Sequence, residues 1–217
     1  LSNRLAQGLS ELDSDRRERH RQFLLSQQLP DGGFRGREGD SDLYYTSFAV
    51  RGLSMLGGLG PEECERIGQY VLACRSQTLS VIDLVSWLYT GLVVQLAGGP
   101  DPLAGADGDF VEAVVGSLES TRTADGGYAR TTQGALGSTY HSFMVALAHE
   151  LLGMSVPDPD RMIQFVYDRQ RDDGGFVEIA PMKRSGTNPT AAAVALLVML
   201  GGMDEELRED VGEFLKV

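Results

Sequence analysis

The sequence predicts an all-α fold of tandem helical hairpins, and three observations predict it. First, an Asp-Gly-Gly-aromatic motif recurs as Asp31-Gly32-Gly33-Phe34, Asp125-Gly126-Gly127-Tyr128 and Asp173-Gly174-Gly175-Phe176, separated by 94 and 48 residues. The longer gap reads as two steps of about 47 with a degenerate copy centred on Thr78. Leu24, Val71, Leu118 and Val166 stand seven places before these centres, and Phe34, Val81, Tyr128 and Phe176 three places after, so apolar character recurs in register. Self-similarity at such a period marks a repeat architecture. Second, each unit divides into a helix charged on one face and a more apolar helix rich in small residues, the signatures of outer and inner helices. Third, no alternating run of β-branched and aromatic residues bounded by turn chemistry persists beyond a few positions.

Taken in order, the units span about 14–60, 61–106, 107–157 and 158–202 within a single domain, 1–217, and a terminal helix follows at 203–217. The expected outer helices are Arg17–Gln28, Glu63–Ser76, Phe110–Thr121 and Asp160–Arg171. The inner ones are Leu43–Leu56, Ile82–Leu96, Thr139–Leu152 and Thr190–Leu200. Met203–Val217 carries Asp204, Glu205 and Glu206 at its start, where acidic groups suit the helix dipole. At the other end Leu5, Leu9 and Leu12 are spaced to share a helical face and supply a partial cap. Hairpins in tandem form an open solenoid or a closed toroid, and the outer-polar, inner-apolar asymmetry suits both.

Composition excludes several classes. With 19 Lys+Arg against 31 Asp+Glu the formal charge is −12, which repels phosphate backbones and anionic lipid and so speaks against a nucleic-acid partner. The longest apolar run, Ala191–Leu200, is half of the roughly 20 residues a membrane span needs. Cys64 and Cys74 lie in helical sequence without CxxC spacing and read as ordinary thiols in a reducing compartment. No secretory leader is visible at the start of the sequence, so the expected location is cytoplasmic. The charge also opposes self-association, and the last helix is long enough to cover the last inner one, which favours a monomer. No phosphate-binding glycine loop, HExxH, GxSxG or dinucleotide fingerprint occurs.

Phe23-Leu24-Leu25-Ser26-Gln27-Gln28 leading into Asp31-Gly32-Gly33-Phe34, then Gly39-Asp40-Ser41-Asp42-Leu43-Tyr44-Tyr45-Thr46 and a small-residue helix to Gly57, resembles the repeat of protein prenyltransferase β-subunits, shared with squalene and terpene cyclases. The resemblance covers roughly Arg17–Gly201. It implies a small α/α toroid whose inner-helix N-termini ring the mouth of a central, aromatic-lined apolar cavity for an isoprenoid or its diphosphate. If catalytic, such a protein would be a prenyltransferase-type transferase or a terpene cyclase. The alternative is a non-catalytic helical-repeat module that binds a protein partner or subunit.

The resemblance also directs attention to individual residues. Family prenyltransferases hold zinc with an Asp-x-Cys pair and a later His; no Asp-x-Cys occurs here, but Ser138-Thr139-Tyr140-His141-Ser142-Phe143 resembles the His-bearing start of an inner helix. His141 with Asp42 and Asp83 is the candidate metal set, for Zn²⁺ or Mg²⁺. Cyclases use Asp-x-Asp-Asp as the acid; Asp40-Ser41-Asp42-Leu43 lacks the last Asp, leaving Asp42, Asp40 and His141 as catalytic candidates. Structural duties compete: Asp40 and Asp42 are also good helix caps, and Asp31, Asp125 and Asp173 are turn formers. Lys183 and Arg184, with Arg35, Arg37 and Arg130 in equivalent loops, are candidates for a diphosphate. Tyr44, Tyr45, Trp87 and Tyr140 at inner-helix starts would line the cavity or face a carbocation, or belong to the core.

Overall fold

A computed structural model describes residues 2–76, 79–105 and 108–216; side chains of residues 2–5 and 108 lie outside the description, as does the expected centre at Thr78. Among the described residues the secondary structure is ten helices: α1 (Ser2–Ser10), α2 (Ser14–Leu25), α3 (Leu43–Met55), α4 (Pro61–Cys74), α5 (Val81–Leu96), α6 (Gly108–Glu119), α7 (Thr139–Leu151), α8 (Pro159–Tyr167), α9 (Thr187–Leu200) and α10 (Glu205–Phe214). No described segment is a strand, and none of these helices is long and apolar enough to cross a membrane.

The chain forms two compact units, 1–106 and 107–217. In the first, α3 packs against α5, α1 and α2 pack on α3, and α4 packs on α5. Val50, Leu53, Ile67, Val71, Trp87 and Val94 make its core. In the second, α7 packs against α9 and α8 packs on α9, around Val145, Met162, Phe165, Leu196 and Leu197. α3 with α5, and α7 with α9, thus make the central pairs of the two units.

Local sequence explains the ends. Asp13, Asp42, Ser80, Ser138 and Asp204 each accept a backbone N–H from the first turn of the helix they precede. The fourth inner helix begins at Thr187, not Thr190, because Pro189 falls in its first turn, where a missing N–H costs nothing. The fourth outer helix stops at Tyr167, short of Arg171, since the next residues turn and bridge from Gln170 to Phe176.

That bridge is one of three alike. Gln28 pairs with Phe34, Arg122 with Tyr128 and Gln170 with Phe176, each closing an Asp-Gly-Gly turn. The first glycine takes φ of +93°, +95° and +80° at Gly32, Gly126 and Gly174. A side chain there would meet the carbonyl oxygen of Arg66, Arg161 or Asp210 at 2.1, 2.9 or 2.2 Å. Only glycine lets the next outer helix lie that close. The aromatic N–H then reaches across to a hydroxyl on the following inner helix, Phe34 to Thr46, Tyr128 to Ser142 and Phe176 to Thr190, all at 2.9 Å.

Candidate functional site

In the first unit the start of α3 carries an aromatic face. Tyr44, Tyr45 and Phe48 are 39%, 49% and 51% exposed, although they sit on a central helix. Tyr44 meets both of the others edge-on, at 5.6 Å from Tyr45 and 4.8 Å from Phe48. Arg51 lies one turn further along; its guanidinium is 4.3 Å from the ring centre of Tyr89 on α5 and 5.9 Å from that of Phe48. Arg51 was missed from sequence. Its signal was the spacing of Tyr44, Phe48 and Arg51, which places all three on one helical stripe.

The other first-unit candidates have structural partners. Asp42 caps α3 by accepting from the Tyr45 N–H at 3.0 Å. Asp83 forms a reciprocal cap with Ser80, accepting its hydroxyl at 2.7 Å and donating its backbone N–H to it at 3.2 Å. Asp40 is exposed in the loop before α3. Trp87 is fully buried and donates to the Val71 carbonyl at 2.7 Å, which puts it in the core between α4 and α5. Cys64 and Cys74 are buried, and that burial pushes both thiols up.

In the second unit the N-terminus of α7 gathers Ser138, Tyr140, His141 and Glu178. The chain just after Phe176 is clipped to this helix: the Thr139 N–H donates to the Glu178 carbonyl at 2.9 Å and its hydroxyl to the Val177 carbonyl at 2.7 Å. The Glu178 carboxylate accepts the Ser138 hydroxyl and the Tyr140 N–H, and His141 Nδ1 lies 3.0 Å from Ser138 Oγ. The Tyr140 and His141 rings meet edge-on at 6.0 Å. Burial lowers the His141 imidazolium's pKa and the Arg130 charge adds to that, while Glu178 opposes both. Lys183 and Arg184 are exposed in the loop before α9, and Arg171 anchors that loop by donating to the Ala180 and Met182 carbonyls at 2.7 and 3.1 Å. Glu178 was missed from sequence; it stands two places after Phe176, as Arg130 stands two after Tyr128, so the repeat register held the clue.

The Asp of each turn works as a clamp. Asp31 accepts the Gly33 N–H and the Ser41 hydroxyl, and Asp173 accepts the Gly175 N–H and the Ser185 hydroxyl. Asp125 instead takes the Thr123 hydroxyl, the Gly137 N–H and the guanidinium of buried Arg169.

Among the described residues no group of three or more His, Cys, Asp or Glu is placed to hold a metal ion. The donors do not fit the zinc of the resembling enzymes: the Asp-x-Cys pair is absent, both thiols are buried in outer-helix packing, and Asp42 and Asp83 serve as caps. A helical repeat with Asp-Gly-Gly turns, an aromatic inner face and a His-bearing inner-helix start defines a class, and comparison with family models supplies it. The model of the prenyltransferase alpha-alpha toroid domain matches residues 2–139 and 138–216, so this chain belongs to that family. No curated protein matches the chain.

Proposed function

We propose that the chain binds, and as an enzyme would transform, an isoprenoid or related apolar chain carrying an anionic head such as a diphosphate. The observation that carries this is the uncovered aromatic face of α3. Core helices of a folded unit do not ordinarily leave three adjacent aromatic rings in water, and such patches mark ligand or partner sites. Flat rings that meet edge-on offer an apolar chain a large contact area at little cost in side-chain freedom. Arg51 beside them is the cation proposed for the anionic head there; in the second unit, taken by itself, Arg130, Lys183 and Arg184 ahead of the inner helices are the cations proposed for such a head. Tyr140 and His141 are the polar contacts proposed at the start of α7.

The alternative, a non-catalytic module using the same face for a protein partner, draws support from the missing Asp-x-Cys and Asp-x-Asp-Asp motifs.

Equilibrium titration with isoprenyl diphosphates of increasing chain length tests the proposal. Saturable binding that tightens with chain length is expected, weakened about tenfold by Tyr44→Ala or Phe48→Ala, a loss of about 1.4 kcal/mol. No binding at any chain length would overturn it in favour of the partner module. Incubation with labelled diphosphate then separates turnover from binding alone.

A further inference from the structure

Ser138 Oγ has three polar neighbours and one proton. The backbone N–H of His141 donates to it at 3.1 Å, as a helix cap requires. The Glu178 carboxylate can only accept, so the Ser138 proton lies on the line between the two oxygens. The third neighbour, His141 Nδ1 at 3.0 Å, must therefore bring its own proton, because the hydroxyl has none left to give it. A neutral imidazole protonated on Nδ1 has a bare lone pair on Nε2.

We propose that Glu178, acting through Ser138, is a positioning residue that holds His141 as the Nδ1–H tautomer, so that Nε2 is the acceptor with which this site meets an N–H, O–H or S–H group of a ligand. The geometry is anchored at both ends. Glu178 sits beside the helix because Thr139 and Tyr140 hold its backbone carbonyl and its carboxylate. Ser138 is fixed as the cap of α7, with its carbonyl accepting the Ser142 N–H at 2.9 Å. His141 is half-buried, which keeps the ring neutral near neutral pH and opposes protonation of Nε2. The charged groups facing it are Glu178 and Arg130. A neutral Nε2 offers nothing to a phosphate oxygen, which is itself an acceptor. The anionic head is consequently assigned to the basic residues, and His141 to a second, proton-bearing group. This assignment rests on the proposal that His141 belongs to a ligand site, but the tautomer itself can be measured without any ligand.

The test uses the whole chain labelled with ¹⁵N at histidine, which has only three such residues, His20, His141 and His149, so that His141→Gln identifies the signals. At about pH 8, well above the ordinary imidazole value of about 6.5, the nitrogen shifts distinguish the two tautomers. The unaltered protein should show His141 protonated on Nδ1 and bare on Nε2. Glu178→Ala should move it toward the mixture of an unheld imidazole, and Glu178→Gln, whose amide oxygen still accepts from Ser138, should restore the Nδ1–H form. A proton on Nε2 in the unaltered protein, or an unchanged tautomer in a folded Glu178→Ala variant, would overturn the proposal. The first of these needs no variant, so a variant that fails to fold leaves the proposal open to refutation. Loss of isoprenoid binding with the tautomer intact would instead refute the function proposed above.

Discussion

Asp125 shows how one carboxylate changes duty when its neighbours change. At the equivalent points of the other two turns a serine hydroxyl, from Ser41 or Ser185, satisfies the Asp. Here Gly137 offers only its N–H, and the Thr123 hydroxyl and the guanidinium of Arg169, whose side chain is 3% exposed, supply the rest. Arg169 also lies over the Phe165 ring at 4.2 Å. Burial pushes the Asp125 pKa up, but the Thr123 hydroxyl, the Gly137 N–H and the Arg169 charge outweigh it, and the net shift is down from 3.8. A depressed carboxyl value means stability that is fully present above the unfolded value and lost as pH falls through the folded one. Thermal unfolding followed between about pH 5 and 2 should therefore show Asp125→Asn declining less steeply than the unaltered protein. At neutral pH the variant should be less stable by about 3 kcal/mol, because Arg169 is left buried without its counter-charge. Equal slopes would show that the pair does not govern acid stability.

At the scale of elements, the turns matter more than the helices they join. Each Asp-Gly-Gly segment touches its own inner helix through an aromatic N–H and the next outer helix through its glycines. Gly33, Gly127 and Gly175 lie under the rings of Tyr70, Phe165 and Phe214, where a methyl group would stand 2.7, 2.3 and 2.6 Å from ring carbons. Phe214 belongs to α10, so the terminal helix meets the last turn as α4 and α8 meet the earlier ones. Gly32→Ala should cost about 3 kcal/mol in urea unfolding, combining an unfavourable positive φ with a clash against the Arg66 carbonyl. Gly39→Ala isolates the first contribution: its φ is +95° but nothing lies within 4 Å, so about 1 kcal/mol is expected. Similar losses at both positions would mean that the close approach of α4 contributes little.

For the molecule as a whole, the charge of −12 acts against self-association. Buried Leu207 and Val211 seat α10 on the rest of the second unit and give it the polar outer face of a capping element. Light scattering at micromolar concentration should accordingly give a mass near 23.5 kDa. A mass of twice that would show that the aromatic face or the helix ends are covered by a second copy, and would strengthen the partner-module alternative.

Periodicity carries the helices because their residues report on one another within a turn or two. Asp-Gly-Gly carries the three turns because a backbone with positive φ under a neighbouring helix admits only glycine. Those features were legible in the chain before any coordinates, as were the aromatics at the start of α3 and the position of His141. The chemistry around His141 was not. Glu178 reaches Ser138 across 40 residues, Arg169 reaches Asp125 across 44, and Arg51 finds Tyr89 on another helix. Contacts of that separation leave no local pattern, since nothing in either segment alone requires the other. Asp42 and Trp87 illustrate the same limit: sequence left them open between site and scaffold, and only packing and hydrogen-bond geometry showed the carboxylate engaged as a cap and the indole buried in the core; Asp83, read from sequence only as a candidate metal ligand, is a cap as well.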